Sequence, residues 1–164
     1  MDTVQHSERE KYEAVWNYDF YRSQADGDPV VGTAFDIMGC APGDTPIDYG
    51  CGKGTPAAQF QARGLKVTGV DIAKNCLDKG VKIPLIVACL WDLPTDFPSS
   101  KFAFCTDVLE HIPPDRVDAV LDNIYKHTEQ AAFIQVCTVL DTSGKKMDPP
   151  MRLHLAVAPH HWWC

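Results

Sequence analysis

The stretch PIDYGCGKG, residues 46–54, decides the fold, because a short apolar run leads directly into three closely spaced glycines. Thr55-Pro56 follows it, a pair typical of a helix start. A glycine turn between a strand and a helix lets the backbone approach a ligand and leaves helix N-terminal N–H groups free to bind it. A second strand, expected over 65–70, is closed by Asp71, whose carboxylate is placed to accept both hydroxyls of a ribose.

Alternating helical and strand patterns cover most of the remaining chain. Ser7 and Glu10 form a capping-box pattern that predicts a first helix. Asp28-Pro29 predicts the start of a second helix, which Gly39 ends. Further helices are expected at 55–63, 73–79 and 115–127, and further strands at 85–90, 101–105 and 131–140. The last strand is a nearly continuous apolar run, as expected of a strand buried on both faces. The alternation predicts βαβ units and a parallel sheet.

Length and composition restrict the class of protein. The 164 residues fit one domain, with N-terminal helices or a lid (1–40), a core (46–140) and an unassigned tail (141–164). Seven scattered cysteines without a CxxC pair, and no apolar leader, predict a reduced cytoplasmic protein. The longest uncharged apolar run, 131–140, is too short to span a bilayer, so no membrane partner is expected. Fifteen basic against 22 acidic residues, with no basic run, argue against a nucleic-acid partner.

Two classes of ligand compete for the glycine turn. Gly52, Gly54 and Ala57 fit the GxGxxA pattern of dinucleotide sites, and Asp71 lies 17 residues beyond Gly54, near the position of the acid in that pattern. The second class is a ligand with a cationic amino-acid group, and Asp48 favours it. A carboxylate beside the turn would attract such a group and would repel a pyrophosphate.

Four segments resemble the motifs of class I S-adenosylmethionine (SAM) dependent methyltransferases, in the family's order and spacing: IDYGCGKG, VTGVDIA, LWDLP and CTDVLEHIPP. KYEAVWNYDFYR and RLHLAVAPHHWW are similar to segments of small phage and bacterial members. The resemblance implies a Rossmann-like α/β fold with strand order 3-2-1-4-5. It also implies SAM as cofactor, S-adenosylhomocysteine as product, and methyl transfer to a small-molecule or sugar-like acceptor. The alternatives are a non-catalytic SAM-binding or interaction module and an NAD-dependent oxidoreductase.

The resemblance also implies site residues. Expected cofactor-binding residues are Asp48, Gly50, Cys51, Gly52, Asp71, Ile72, Trp91, Asp92, Thr106, Asp107, Tyr21 and Arg22. His111 is the first candidate for a general base and Glu110 the second. For His111 the alternative is a helix-start histidine bonded to the backbone, and for Glu110 it is packing beside a helix N-terminus. His154 is a candidate substrate contact, and no zinc-like spacing appears, so no metal is expected.

The chain departs from the family pattern at its end. Members of the family continue into an antiparallel hairpin beside strand 5, whereas this sequence stops at Cys164. Strand 5 would then be an uncovered apolar edge, which is an aggregation liability. We expect that the tail 152–157 pairs there, that a second subunit does so in a homodimer, or that the chain is short.

Overall fold

The computed structural model describes residues 2–23 and 28–163. The α-helices are α1 (Thr3–Val15), α2 (Asp19–Arg22), α3 (Val31–Met38), α4 (Thr55–Ala62) and α5 (Val117–Lys126). The strands are β1 (Ile47–Tyr49), β2 (Thr68–Asp71), β3 (Leu85–Val87), β4 (Ser100–Thr106) and β5 (Thr128–Gln135). Short 3₁₀ helices cover Asp28–Val30, Leu109–His111, Pro114–Arg116, Ser143–Lys146 and His160–Trp162. None of the described helices is long and apolar enough to cross a membrane.

The strands form one sheet in the order β3-β2-β1-β4-β5, and every neighbouring pair is parallel. Ile47 of β1 lies opposite Thr68 on one side and opposite Ala103 on the other. This confirms the predicted Rossmann-like sheet. The chain winds outward from β1 to β3 and then returns to the opposite side of β1, so a crevice opens at the carboxyl ends of β1 and β4.

Alternation along β4 sends side chains to the two faces of the sheet. Phe102 and Phe104 pack in the cluster under α3 and α4, where the rings of Phe60 and Phe104 meet edge to face with centroids 5.1 Å apart. Ala103 and Cys105 belong to the opposite cluster, to which α5 contributes its apolar face. Helices therefore cover both faces of the central strands, and this fixes the strand ends that carry the polar residues.

The predicted capping box is wrong. The Asp2 side chain accepts a hydrogen bond from the Gln5 amide at 2.7 Å and caps α1, which begins at Thr3. Ser7 and Glu10 lie inside the helix. An aspartate at an N-cap satisfies an otherwise unpaired amide just as a serine does, so Asp2 caps the helix in place of Ser7.

The helix predicted at 73–79 does not form, and the segment is a series of turns. Arg22 holds these turns by donating to the carbonyls of Asn75 and Cys76 at 2.6 and 2.8 Å. A helix of so few residues has little stability of its own, so tertiary contacts decide the conformation of this segment.

β5 is an edge strand and not a strand buried on both faces, so that prediction is also wrong. Its residues are only partly buried or exposed, and Ile134 is 39% exposed. The tail 152–157 does not pair with it, because the amides of Leu155 and Ala156 both donate to the carbonyl of Glu110. Within residues 2–23 and 28–163, no strand lies against the outer edge of β5. The homodimer through this edge stays a prediction.

Two expectations fall outside the described residues. One is the capping role of the Asp28 side chain, although the Asp28 backbone does begin the 3₁₀ turn that leads into α3. The other concerns Cys164.

Candidate active site

A cleft opens where β1 and β4 end, and it has two adjoining halves that share Trp16, Tyr21, Gly50, Asp107 and His111. The half beside the ends of β2 and β3, here called the near half, has a cavity volume of about 90 Å³. The other half, here the far half, is bounded by the glycine turn, the end of β4 and the segment 137–154.

Apolar and aromatic side chains dominate the near half. They include Tyr12, Ile72, Leu90 and Trp91, and the Asp71 carboxyl lies among them at the end of β2. The indole N–H of Trp91 is buried and has no hydrogen-bond partner among the described residues. An apolar, aromatic slot with a carboxylate at the end of β2 and a spare indole donor fits a planar base joined to a ribose.

The glycine turn brings bare backbone to the boundary between the halves. Gly50 and Gly52 have left-handed φ angles of 72° and 49°. A Cβ at Gly50 would collide with Val108, lying 2.9 Å from its Cγ1, and a Cβ at Gly52 would lie 3.0 Å from the Trp16 ring. Glycine adopts this conformation without steric cost, so the turn can pack against these side chains and still present its backbone to a ligand.

Asp71 ties the turn to the loop after β2. Its Oδ2 accepts from the Gly52 amide at 3.0 Å and its Oδ1 from the Ala73 amide at 2.9 Å. Burial raises the pKa of Asp71 to about 6, although these backbone hydrogen bonds oppose the rise. Each carboxylate oxygen has two lone pairs, so Asp71 can keep both backbone bonds and still accept from hydroxyls in the near half.

Asp48 is a buried carboxyl that lacks a partner on one oxygen. It is 3% exposed, it lines the far half beside the turn, and its Oδ2 has no hydrogen-bond partner among the described residues. Burial, reinforced by the charge of Asp71, raises the pKa of Asp48 to about 8. Burying an unpaired charge is costly. A cationic group of a ligand would relieve this cost, which fits the amino group of an amino-acid moiety.

Glu110 is a second buried carboxyl with an unpartnered oxygen, and it also lines the far half. Its side chain is fully buried, its Oε1 accepts from the Cys137 amide at 3.1 Å, and its Oε2 has no partner among the described residues. Burial and then the charge of Asp107 raise the pKa of Glu110 to about 7. A carboxyl that titrates near neutrality can take up and release a proton.

The His111 ring forms hydrogen bonds with neighbouring residues. Its Nδ1 lies 2.8 Å from the Tyr12 hydroxyl, which keeps its proton because burial raises the pKa of Tyr12. Burial, followed by the charges of His154 and Lys11, lowers the pKa of His111 to about 3, against a hydrogen bond with the backbone of Leu153. We therefore assign a neutral imidazole that accepts from Tyr12 and is a weak base.

The structure brings most of the predicted site residues together. Those lining the cleft are Asp48, Gly50, Cys51, Gly52, Asp71, Ile72, Trp91, Thr106, Asp107, Tyr21, Glu110 and His111. Asp92 lines neither half, and its side chain is exposed in the bridge between Cys89 and Asp92.

Arg22 also lines neither half of the cleft. Besides its bonds to the loop after β2, its guanidinium donates to the Trp16 carbonyl and to the Asp78 carboxylate, each at 2.8 Å. Most of its donors are used in this way, so Arg22 supports the wall of the cleft from outside.

Some lining residues were missed by the sequence reasoning. Val108 confines the glycine turn, and Asp141 and Ser143 close the far half. The segment around Asp141 reads as a plain loop, although the pattern Asp-x-Ser-Gly signals an Asx turn. Asp141 indeed accepts from the amides of Ser143 and Gly144, both at 2.8 Å. Its place in the cleft depends on the path of the tail, which no local pattern reveals.

Two groups of potential metal ligands lie near the cleft. The ligand atoms of Glu110, His111 and His154 lie within 4.8 Å of one another, as do those of Cys51, Asp71 and Cys76. His111 already accepts a hydrogen bond through Nδ1, and the pKa of the Cys51 thiol is raised, foremost by its hydrogen bond with Cys76 and by burial. The expectation of no metal stays a prediction.

Comparison with known proteins identifies the family. A model of the methyltransferase domain matches residues 47–131. The ubiquinone biosynthesis O-methyltransferase of Chromobacterium violaceum is 33% identical over 94 residues, which cover 51% of this chain and 40% of that protein. The chain thus spans less than half the length of this curated relative.

Solved structures share the fold. The 1,6-didemethyltoxoflavin-N1-methyltransferase of Burkholderia thailandensis, crystallised with S-adenosylhomocysteine, has a TM-score of 0.64 at 18% identity, over 83% of this chain and 62% of that one. The magnesium protoporphyrin IX methyltransferase of Synechocystis, crystallised with SAM, has a TM-score of 0.57 at 20% identity, over 77% of this chain and 74% of that one. With the matching family model, strand order and glycine turn, the chain belongs to the class I SAM-dependent methyltransferase family.

Proposed function

We propose that this chain binds SAM in the cleft and transfers its methyl group to a small-molecule acceptor. The observation that carries the proposal is the pair of buried carboxyls on either side of the glycine turn. Asp71 reaches the near half, and Asp48 presents an unpartnered oxygen to the far half. An adenosine and a cationic amino acid, joined in one ligand, match these two positions together, whereas a pyrophosphate carries no cationic group to pair with Asp48.

The two halves of the cleft bind different parts of the ligand in this proposal. We place the adenine and ribose in the near half against Trp91 and Asp71, and the amino-acid group beside Asp48. When bound, SAM supplies an electrophilic methyl group on a sulfonium. The protein must align an acceptor with that group and exclude water. Segment 137–154 closes the far half, where this acceptor would lie.

Among the candidate bases, Glu110 fits better than His111. Glu110 has a free oxygen in the far half and a pKa near neutrality, whereas His111 accepts from Tyr12 and holds a proton only in strong acid. We assign Glu110 as the proton acceptor. His111 and Tyr12 form a hydrogen-bonded, uncharged pair that positions the groups beside Glu110.

Calorimetric titration with SAM, S-adenosylhomocysteine and NAD tests the cofactor directly. We expect micromolar binding of the first two ligands and no binding of NAD. Binding of NAD alone would contradict the proposal and favour the dinucleotide alternative. SAM binding without turnover on a broad panel of acceptors would favour the non-catalytic SAM-binding module.

Asp71→Ala should weaken S-adenosylhomocysteine binding by about 1–3 kcal/mol, because charge-assisted hydrogen bonds to the ribose are lost. Calorimetry measures the affinity, and circular dichroism verifies that the variant is folded. Asp122→Ala is the matched control, since Asp122 is an exposed aspartate of α5. Unchanged affinity in folded Asp71→Ala would remove Asp71 from the ribose site.

The rate at saturating SAM should depend on the ionisation of Glu110, which Asp107, His111 and His154 face. Only the ionised carboxylate accepts a proton, and the pKa of Glu110 is raised to about 7. Activity should therefore fall roughly tenfold per pH unit below the pKa in the loaded enzyme and level off above it. The measurement is kcat/KM for the acceptor between pH 5 and pH 9. A Glu110→Gln variant that keeps the same pH step would exclude Glu110 as its source.

A further inference from the structure

The far half of the cleft is strongly acidic. Beyond Asp48, which the proposed function uses for the cofactor, it is lined by Asp107, Glu110 and Asp141. Among the described lining residues the basic side chains are Lys53, beside the glycine turn, and the two histidines. Three carboxyls therefore surround the space left for an acceptor.

These three carboxyls differ in their hydrogen-bond partners. Asp141 accepts from two backbone amides, and those bonds hold its pKa below the usual value despite burial, so it is a fixed anion. Asp107 accepts from the Gln135 amide group at 3.2 Å. Glu110 is fully buried and lines the cleft, and its Oε2 has no partner within the described residues. This unpartnered oxygen calls for a hydrogen-bond donor or a cation from the ligand.

The neighbouring histidine does not neutralise this charge. His111 is held neutral by burial and accepts from the Tyr12 hydroxyl through Nδ1. His154 bonds through its own Nδ1 to the Val139 carbonyl at 2.7 Å. The ring nitrogens next to Glu110 are thus partly committed to the protein, which disfavours a preformed metal site and leaves the carboxylates to the acceptor.

Resting on the proposed function, we infer that the methyl acceptor is an amine and that the methyl group goes to its nitrogen. A carboxylate-lined pocket attracts a protonated amine, whereas it repels an acid and destabilises the oxyanion through which a hydroxyl reacts best. The curated relative named above is an O-methyltransferase, so a hydroxyl acceptor is the alternative that the test must discriminate.

The reaction balances with the residues present. The protonated amine gives one proton to the Glu110 carboxylate and becomes a neutral amine. Its lone pair forms the new N–CH₃ bond while the S–CH₃ bond breaks, and the electron pair of that bond stays on sulfur. Positive charge thus moves from sulfur to a nitrogen held in the carboxylate-lined far half, so the carboxylates there stabilise the transition state more than the preceding complex of SAM with the neutral amine. Glu110 then releases its proton to solvent.

The test uses three probes that differ only in the head group: benzylamine, benzyl alcohol and benzoate. Binding is measured by calorimetry on the full chain saturated with S-adenosylhomocysteine, and binding of that product alone is measured first. We expect benzylamine to bind at least 10-fold more tightly than the alcohol and at least 100-fold more tightly than benzoate. With SAM, mass spectrometry should find the methyl group on nitrogen.

Glu110→Gln keeps the acceptor oxygen for the Cys137 amide and removes the charge. We expect it to reduce the preference for the amine to below 3-fold and the amine-methylating rate by at least 100-fold. Glu129→Gln, an exposed glutamate of β5, is the matched control and should retain both.

The outcomes separate the two proposals. If S-adenosylhomocysteine binds but the alcohol or benzoate binds as well as the amine, or no probe binds, the amine inference is overturned and the proposed function stands. Binding of Mg²⁺ alone that Glu110→Gln abolishes would overturn it too, because the carboxylates would then serve a metal. If S-adenosylhomocysteine does not bind, the proposed function fails and the inference fails with it.

Discussion

Replacing Asp48 by asparagine should stabilise the ligand-free fold and abolish tight SAM binding in the same variant. The Asp48 carboxyl is buried, one of its oxygens has no partner among the described residues, and its pKa is raised to about 8. An unfolded aspartate titrates at about 3.9. The folded state therefore binds this proton more tightly, so the stability that the proton confers is complete below about pH 4 and is lost as the pH rises through about 8.

Because the carboxylate form of Asp48 destabilises the fold, the Asp48→Asn variant should be more stable than the wild type at high pH. At pH 9 the wild-type fold buries a carboxylate, and the variant buries a neutral amide of the same shape. We expect the free energy of unfolding to rise by roughly 2–5 kcal/mol at pH 9 and to change little at pH 4. Urea unfolding at the two pH values measures it. Asp122→Asn on the exposed face of α5 is the control, and an equal gain at both pH values would contradict the ionisation argument.

SAM binding should respond in the opposite direction. Wild-type affinity should strengthen between pH 6 and pH 8, because Asp48 ionises in this range and pairs with the amino group of the ligand. In Asp48→Asn the affinity should be about 10- to 150-fold weaker, the equivalent of one charge-assisted hydrogen bond, and nearly independent of pH. A variant that binds SAM as tightly as the wild type would remove Asp48 from the cofactor site.

Gly50→Ala should produce the second large effect. Gly50 has a φ of 72°, and an added Cβ would collide with Val108. The left-handed conformation costs a non-glycine residue about 1–2 kcal/mol, and overpacking costs typically 1–3 kcal/mol more. We expect a total loss of about 2–5 kcal/mol in the free energy of unfolding, together with loss of detectable SAM binding, because the turn must shift to relieve the collision.

Two variants separate the backbone cost from the collision. Gly39 has nearly the same φ, 71°, and a Cβ there would meet nothing within 4 Å. Gly39→Ala should therefore show the backbone cost alone and bind SAM normally. The double variant Gly50→Ala/Val108→Ala should recover part of the lost binding. If Gly50→Ala behaves like Gly39→Ala in urea unfolding and calorimetry, the close packing of the turn against Val108 is not important.

The strongest local patterns predicted the architecture. The run 46–54 predicted β1 and the turn, Thr55-Pro56 predicted the start of α4, and the apolar runs that follow predicted further strands, whereas the strand order was implied by the family resemblance. These signals are local because a glycine turn and a short apolar strand are specified by neighbouring residues. The weaker pattern at 73–79 predicted a helix that does not form. Contacts with Arg22, which lies about fifty residues earlier in the chain, hold this segment in turns.

The sequence by itself determined the sheet, the glycine turn and about half of the residues that line the cleft, because parallel strands place their carboxyl ends at one edge and so bring Asp48, Asp71 and Asp107 together. Only the tertiary structure decided what those residues can do. Burial raised the pKa of Glu110 and lowered that of His111, reversing their order as candidate bases. The path of the tail brought Asp141 into the far half. Burial and distant contacts depend on the whole packed chain, and no local pattern encodes them.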